Sequence, residues 1–124
     1  MIERERGAGS QRLEELLGDE ERAISVITVS ELLHGVHRAT GARRARRRAF
    51  VEHVLGAFDP IAITEPVARV HAEVWADLSG RGEKIGAHDL WIAATALTHG
   101  LGVATLNGAD FGRVPGLRVI VPGD

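Results

Sequence analysis

The stretch GAHDLWIAATALTHG, residues 86–100, predicts the helix around which the fold is organised. Numbered as a helix, it sets the carboxylate of Asp89 on the same face as four apolar residues, Ile92, Ala93, Ala96 and Leu97. A charge on a face that packs into a core is costly unless it is paired. We therefore expect this acid to have a partner.

Composition limits the class of protein. The chain has 124 residues, of which 44% are hydrophobic and 26% charged, so we expect one globular domain over residues 1–124. No cysteine is present, which excludes disulfides and thiolate metal sites and suits a cytoplasmic protein. Neither a signal peptide nor a long apolar run is present, so we predict no membrane span. Because the net charge is −2, any nucleic-acid contact must come from a local patch.

Short apolar runs alternate with amphipathic segments along the chain. Strands are predicted over 23–28, 60–64, 102–106 and 117–121. Helices are predicted over 28–40, after Gly41, from Thr64 with Pro66 in the first turn, and over 87–99. Trp75 and Trp91 are predicted to lie in the core. This order indicates an α/β sandwich with a mainly parallel sheet.

Three acids follow predicted strands or begin predicted helices. Glu31 comes after the first strand, Asp89 lies in the first turn of the 87–99 helix, and Asp110 follows the third strand. In a parallel sheet these positions meet at one edge. Neighbouring carboxylates raise one another's pKa, and a divalent cation removes that penalty. Hard oxygen ligands suit Mg²⁺ or Mn²⁺.

Each acid also has a purely structural interpretation. Thr28 and Glu31 match the S/T-x-x-E capping box, in which the acid bonds a backbone N–H. Asp89 complements a helix dipole, and Asp110 suits the turn in NGADFG. The joint pattern favours a shared site, and capping does not exclude metal binding.

Three motifs in order resemble a known family. They are S-E-L at residues 30–32, D-x-W-I-A-A at 89–94, and T-x-N-x-x-D-F at 105–111. From about Ala23 to Val121 the chain resembles PIN-domain ribonucleases, and most closely the VapC toxins of bacterial toxin–antitoxin pairs. The resemblance implies a PIN-like three-layer sandwich, with helices flanking a mainly parallel central sheet.

The resemblance also implies a role for each motif residue. Glu31, Asp89 and Asp110 match the family's catalytic and metal-ligating acids, and Thr105 and Asn107 match polar positions that support them. The implied activity is hydrolysis of RNA phosphodiester bonds, in tRNA or another structured RNA, with Mg²⁺ or Mn²⁺. Such a toxin inhibits translation until a VapB-type antitoxin neutralises it.

One family feature is not evident in this sequence. Relatives carry a further acid at the end of a first strand, whereas residues 1–22 resemble only the remnant of the helical region that follows it. Either the start was placed too late, which we favour, or the chain is a truncated relative. In both cases we expect weaker metal binding and slower cleavage than in a version extended upstream in frame.

Clustered arginines suggest a partner surface. The run GARRARRRAF includes Arg43, Arg44 and Arg47, which we predict to contact RNA or an antitoxin, although such a run is often only a solvated helix face. The family resemblance also implies a homodimer.

Two other functions remain as alternatives. The first is a catalytically impaired PIN-fold protein that binds an antitoxin without cleaving RNA. The second, a phospho-accepting receiver domain, needs a lysine at a late strand end, and Lys84 lies in a loop instead.

Overall fold

The computed structural model describes residues 23–105 and 108–121. Five helices and two short strands lie within these ranges. In chain order they are α1 (Val26–Arg38), α2 (Gly41–Ala57), α3 (Glu65–Gly80), α4 (Ala87–Thr98), β1 (Val103–Ala104), α5 (Gly108–Phe111) and β2 (Val119–Ile120). The remnant predicted over residues 1–22 lies outside the described residues.

Helix α1 begins earlier than the sequence predicted. Ser25 is its N-cap, and the hydroxyl of Ser25 accepts a hydrogen bond from the backbone N–H of Thr28 at 3.1 Å. The strand predicted over 23–28 is therefore wrong beyond Ser25, because the cap turns the β-branched residues after it into the first turn of the helix. What remains of that strand is a single parallel bridge between Ser25 and Ile61.

The same bridge is all that the structure shows of the strand predicted over 60–64. Ile61 donates its N–H to the carbonyl of Ile24 at 2.8 Å and accepts from the N–H of Val26 at 3.0 Å. Thr64 then caps α3, as predicted, by accepting from the N–H of Val67, and Pro66 lies in the first turn. The pairing is short because a helix cap follows closely on both segments.

Helix α4 is the most buried element. It follows Gly86 and ends before Gly100, whose φ of 66° lies in the left-handed region that favours glycine. Its apolar residues pack against α3 and the segment after α5 in one core. Buried members of that core are Val74, Leu78, Leu90, Ile92, Ala93, Ala96, Val103, Phe111 and Val114.

Trp75 does not belong to this core, contrary to the prediction. Its side chain is 60% exposed, because the position directly after the buried Val74 points away from the stripe that faces α4. Trp91 is half-buried, and its ring stacks on His71 with centroids 3.6 Å apart. His71 also meets the edge of Trp75.

Strands β1 and β2 form a parallel pair, in the register Val103 with Val119 and Ala104 with Ile120. Gly102 permits this pairing, because a Cβ at that position would lie 2.9 Å from the carbonyl oxygen of Arg118. The predicted α/β class with parallel pairing is confirmed, although the sheet in the described residues is small. Among these residues, no helix combines the length and apolar character needed to cross a membrane.

Candidate metal centre

Three carboxylates come from three different helices. Glu31 lies near the middle of α1, Asp89 is the third residue of α4, and Asp110 is the third residue of α5. Asp89 and Asp110 are hydrogen-bonded through their side chains, and both Glu31 and Asp110 act electrostatically on Asp89. Glu31 and Asp110 are therefore close enough to Asp89 to interact with it electrostatically.

The surroundings of Asp89 disfavour its charge. Burial is the largest cause that raises the pKa of this carboxyl, from 3.8 to about 6, followed by the negative charges of Glu31 and Asp110. A hydrogen bond that the protonated Asp89 carboxyl donates to Asp110 also raises the pKa of Asp89, and His88 partly opposes the rise. Asp89 is thus half-buried beside two other acids, and the described residues around it do not fully neutralise their negative charge.

Glu31 is held on one side only. Its Oε2 lies 3.4 Å from Nδ1 of His88, whereas its Oε1 is buried without a hydrogen-bond partner among the described residues. The side chain is 15% exposed. Burying a carboxylate oxygen without a hydrogen-bond partner costs free energy, which a bound cation would recover. This oxygen is therefore available to bind one.

Asp110 is positioned by its neighbour Phe111, which is fully buried in the core. Its Oδ1 lies 3.5 Å from Nη1 of Arg113, three residues further on in the turn that follows α5. The same guanidinium nitrogen donates to the carbonyl of Lys84, in the loop that leads to α4. Arg113 therefore joins the segment that carries Asp110 to the segment that carries Asp89.

Of the two polar residues predicted to support the acids, the structure describes Thr105 but not Asn107. Thr105 is fully buried, and its N–H donates to the carbonyl of Ile120 at 3.0 Å, so it is fixed at the end of the parallel pair. Asn107 lies outside the described residues.

A divalent cation fits the chemistry of this donor set. Among residues 23–105 and 108–121, however, no three Asp, Glu or His side chains lie close enough together to hold a metal ion, so these acids would have to draw closer to share one. The unpartnered Glu31 oxygen and the excess negative charge are both what a hard cation would compensate.

Comparison with known proteins identifies the fold family. The model of the PIN domain matches residues 3–117. The chain belongs to the PIN domain family. The predicted resemblance to this family is confirmed.

Named relatives place the chain among VapC ribonucleases. It is 40% identical over 98 residues to ribonuclease VapC1 of Rickettsia felis, covering 78% of this chain and 73% of the relative. It is 31% identical over 96 residues to the tRNA(fMet)-specific endonuclease VapC of Salmonella typhimurium, covering 77% and 71%. Among solved structures, VapBC-5 of Mycobacterium tuberculosis, a member of the VapBC family of toxin–antitoxin systems, superposes with a TM-score of 0.73 at 32% identity, covering 80% of each chain. PIN-domain ribonucleases of this kind are metal-dependent.

The structure also changes how two residues of this PIN domain are interpreted. Thr28 lies inside α1 instead of capping it, so Glu31 is not the acid of a capping box. Arg113 was not predicted as a site residue. It lies in the turn after α5, three residues from Asp110, and no motif or helix spacing marks this contact in the sequence.

The raised pKa of Asp89 predicts a pH-dependent stability for this PIN domain without metal. The folded chain holds the Asp89 proton up to about pH 6, whereas the unfolded chain loses it near pH 3.8. The free energy of unfolding therefore falls as pH rises through this window. Since Asp89 is only half-buried, we expect a loss on the order of 1–2 kcal/mol.

The measurement is urea unfolding of the wild type and Asp89→Asn at several pH values between 4 and 7, with a chelator present. Because other groups also titrate, the difference between the two proteins is the quantity to follow. Asparagine does not titrate, so the variant should gain stability relative to the wild type as pH rises. A difference that stays constant across the range would contradict the prediction.

Proposed function

We propose that this protein is a VapC-type toxin, an endoribonuclease that hydrolyses RNA phosphodiester bonds with the help of Mg²⁺ or Mn²⁺. The observation that carries the proposal is the electrostatic interaction of Asp89 with Glu31 and Asp110 on a PIN fold. Hard carboxylate oxygens favour these two ions over softer metals.

In this proposal the three carboxylates hold the ion. Glu31 offers its buried, unpartnered Oε1, and Asp89 and Asp110 lie close enough to share a proton when no cation is bound. When bound, such an ion lowers the pKa of a water molecule and neutralises charge on the phosphate. His88 orients Glu31 from the side, and Arg113 holds Asp110 from the other.

Thr105 and Asn107 complete the proposed site. Thr105 is buried directly after β1, and its place in the T-x-N-x-x-D-F motif assigns its hydroxyl a supporting role. Asn107 is assigned a supporting polar role by its place in the T-x-N-x-x-D-F motif.

The proposed substrate is a structured RNA such as a tRNA. Support comes from the relative in Salmonella typhimurium, which is named a tRNA(fMet)-specific endonuclease. The proposed partners are a VapB-type antitoxin and a second copy of the chain, and VapBC-5 is the solved relative that supports the first of them. We propose that the protein acts in the cytoplasm, where its RNA substrate is found.

The test is cleavage of an end-labelled tRNA pool by the purified protein in Mg²⁺, in Mn²⁺ and in EDTA. We expect discrete fragments with at least one of the two ions, none in EDTA, and recovery when excess ion is restored. Equal cleavage in EDTA would refute the metal-dependent mechanism. If the folded protein cleaved in neither ion, the enzyme would be rejected in favour of the non-cleaving, antitoxin-binding alternative.

A further inference from the structure

A cavity of about 600 Å³ lies between α1 and α2, next to the acid cluster. At one end it is lined by Glu31 and His88, which also belong to the candidate metal centre. Further along α1 it is lined by Arg38, seven residues and therefore about 10 Å from Glu31 along the helix axis. The cavity is thus a groove that leads from the acids to a basic end.

Helix α2 supplies the opposite wall. Arg43 and Arg47 are four residues apart and therefore lie on the same helix face, and both line the groove. Gly35 of α1 makes room for one of them, because a Cβ at that position would lie 3.2 Å from Nη1 of Arg47. The long Arg47 side chain thus crosses α1 where α1 has no side chain of its own.

Arg44 belongs to the same arginine-rich segment of α2, but its side chain makes structural hydrogen bonds instead of lining the groove. Its Nε donates to the carbonyl of Ala39 at 2.6 Å, and its Nη2 donates to the carbonyl of His37 at 3.1 Å. These carbonyls are at the C-terminal end of α1, so Arg44 fastens the turn between the two helices. It is not among the residues that line the groove.

The groove arginines carry uncompensated charge. None of Arg38, Arg43 and Arg47 forms an ion pair with a carboxylate of the part of the chain that the structure describes. Since the net charge of the protein is −2, attraction for a polyanion has to come from such a local cluster. Guanidinium groups bind phosphate oxygens with two parallel hydrogen bonds.

We propose that this groove binds the phosphodiester backbone of the RNA on one side of the bond to be cut, through Arg38, Arg43 and Arg47. The inference rests on the proposed function. An acidic protein segment would also satisfy the arginines, but Glu31 would repel it at the other end. An RNA strand fits both ends, because its reacting phosphate lies at the cation site while a neighbouring phosphate meets the arginines.

The test compares two double variants that remove equal charge from α2. Arg43→Ala with Arg47→Ala empties the groove wall, and Arg46→Ala with Arg48→Ala changes two exposed positions outside the groove. Both are made in an Asp89→Asn background to limit cleavage. Binding of fluorescein-labelled tRNA is followed by anisotropy across a range of KCl concentrations, and a labelled 20-residue polyglutamate peptide is the protein-like probe.

We expect the groove variant to bind tRNA about tenfold more weakly or worse, and the control variant to stay within about twofold. Because two phosphate contacts are lost, the slope of log K against log salt should become shallower by about 1.4–1.8. Polyglutamate should bind weakly to all of the proteins.

Three results would overturn the inference. Equal losses in the two double variants would mean diffuse attraction without a groove. Unchanged tRNA binding in the groove variant would mean that these arginines do not contact RNA. Tight polyglutamate binding that depends on Arg43 and Arg47 would assign the groove to an acidic protein segment.

Failure of the groove and failure of the proposed function give different results. If the wild type cleaves RNA while the groove variant binds tRNA normally, only the groove is refuted. If the protein binds tRNA through these arginines but the wild type does not cleave it, only the nuclease is refuted.

Discussion

Asp89→Asn is expected to reduce RNA cleavage more than 100-fold while leaving α4 folded. Removing a residue that only hydrogen-bonds to a metal ligand already costs about 10- to 100-fold in metal affinity or activity. Removing a ligand itself should therefore cost more. Asparagine has nearly the same shape as aspartate, and it removes a charge that burial and two neighbouring acids disfavour. The measurement is the single-turnover cleavage rate together with the urea midpoint at pH 7.

Asp77→Asn is the matched control for this substitution. Asp77 lies on the exposed side of α3, where its Oδ2 is 2.8 Å from Arg81. Exposed ion pairs contribute at most about 1 kcal/mol, and Asp77 is not among the residues proposed to hold the cation. Cleavage by the control should match the wild type. If Asp89→Asn also cleaved at the wild-type rate, the assignment of Asp89 would be wrong.

Phe111→Ala is expected to lower the free energy of unfolding by about 3–5 kcal/mol, which is the usual cost of removing a fully buried phenylalanine ring. Phe111 has no exposed surface and anchors the four-residue helix α5 in the core beside Val114. A helix this short is not stable by itself, so its position depends on this ring. Loss of the anchor should therefore also displace Asp110. Urea unfolding gives the energetic cost.

Phe50→Ala provides the comparison for that prediction. Phe50 lies on α2 and is 45% exposed, so the same change of side chain removes much less buried surface. We expect a loss of less than about 1 kcal/mol. Similar losses in both variants would show that Phe111 does not have the anchoring role assigned to it.

The sequence predicted best where one interpretation of a segment dominated. Residues 86–100 are long, apolar and ended by glycine, and α4 has the expected bounds within one residue. At 23–28 two signals competed, since β-branched residues favour a strand while Ser25 favours a helix start. The cap prevailed, because the apolar stripe of α1 continues back through Ile27, which packs against the core.

The candidate site was predicted from chain order and motif, whereas its details required the tertiary structure. Glu31, Asp89 and Asp110 belong to the three segments that the motifs named, and the fold brings Glu31 and Asp110 within electrostatic range of Asp89. The contact of His88 with Glu31 joins residues 57 apart, so no local pattern specifies it. The different roles of Arg44 and Arg47 are likewise set by tertiary contacts. Arg44 bonds to the turn at Ala39, whereas Arg47 lies over Gly35, which has no side chain.

The central claim is that Glu31, Asp89 and Asp110 form one cation site, and calorimetric titration with Mn²⁺ tests it most directly. For the wild type at pH 7 we predict one bound Mn²⁺ per chain. In Glu31→Gln, Asp89→Asn and Asp110→Asn, measured separately, we predict an affinity at least about tenfold weaker. Wild-type affinity in any one of the three variants would contradict the claim that its carboxylate holds the ion, and wild-type affinity in all three would refute the shared site.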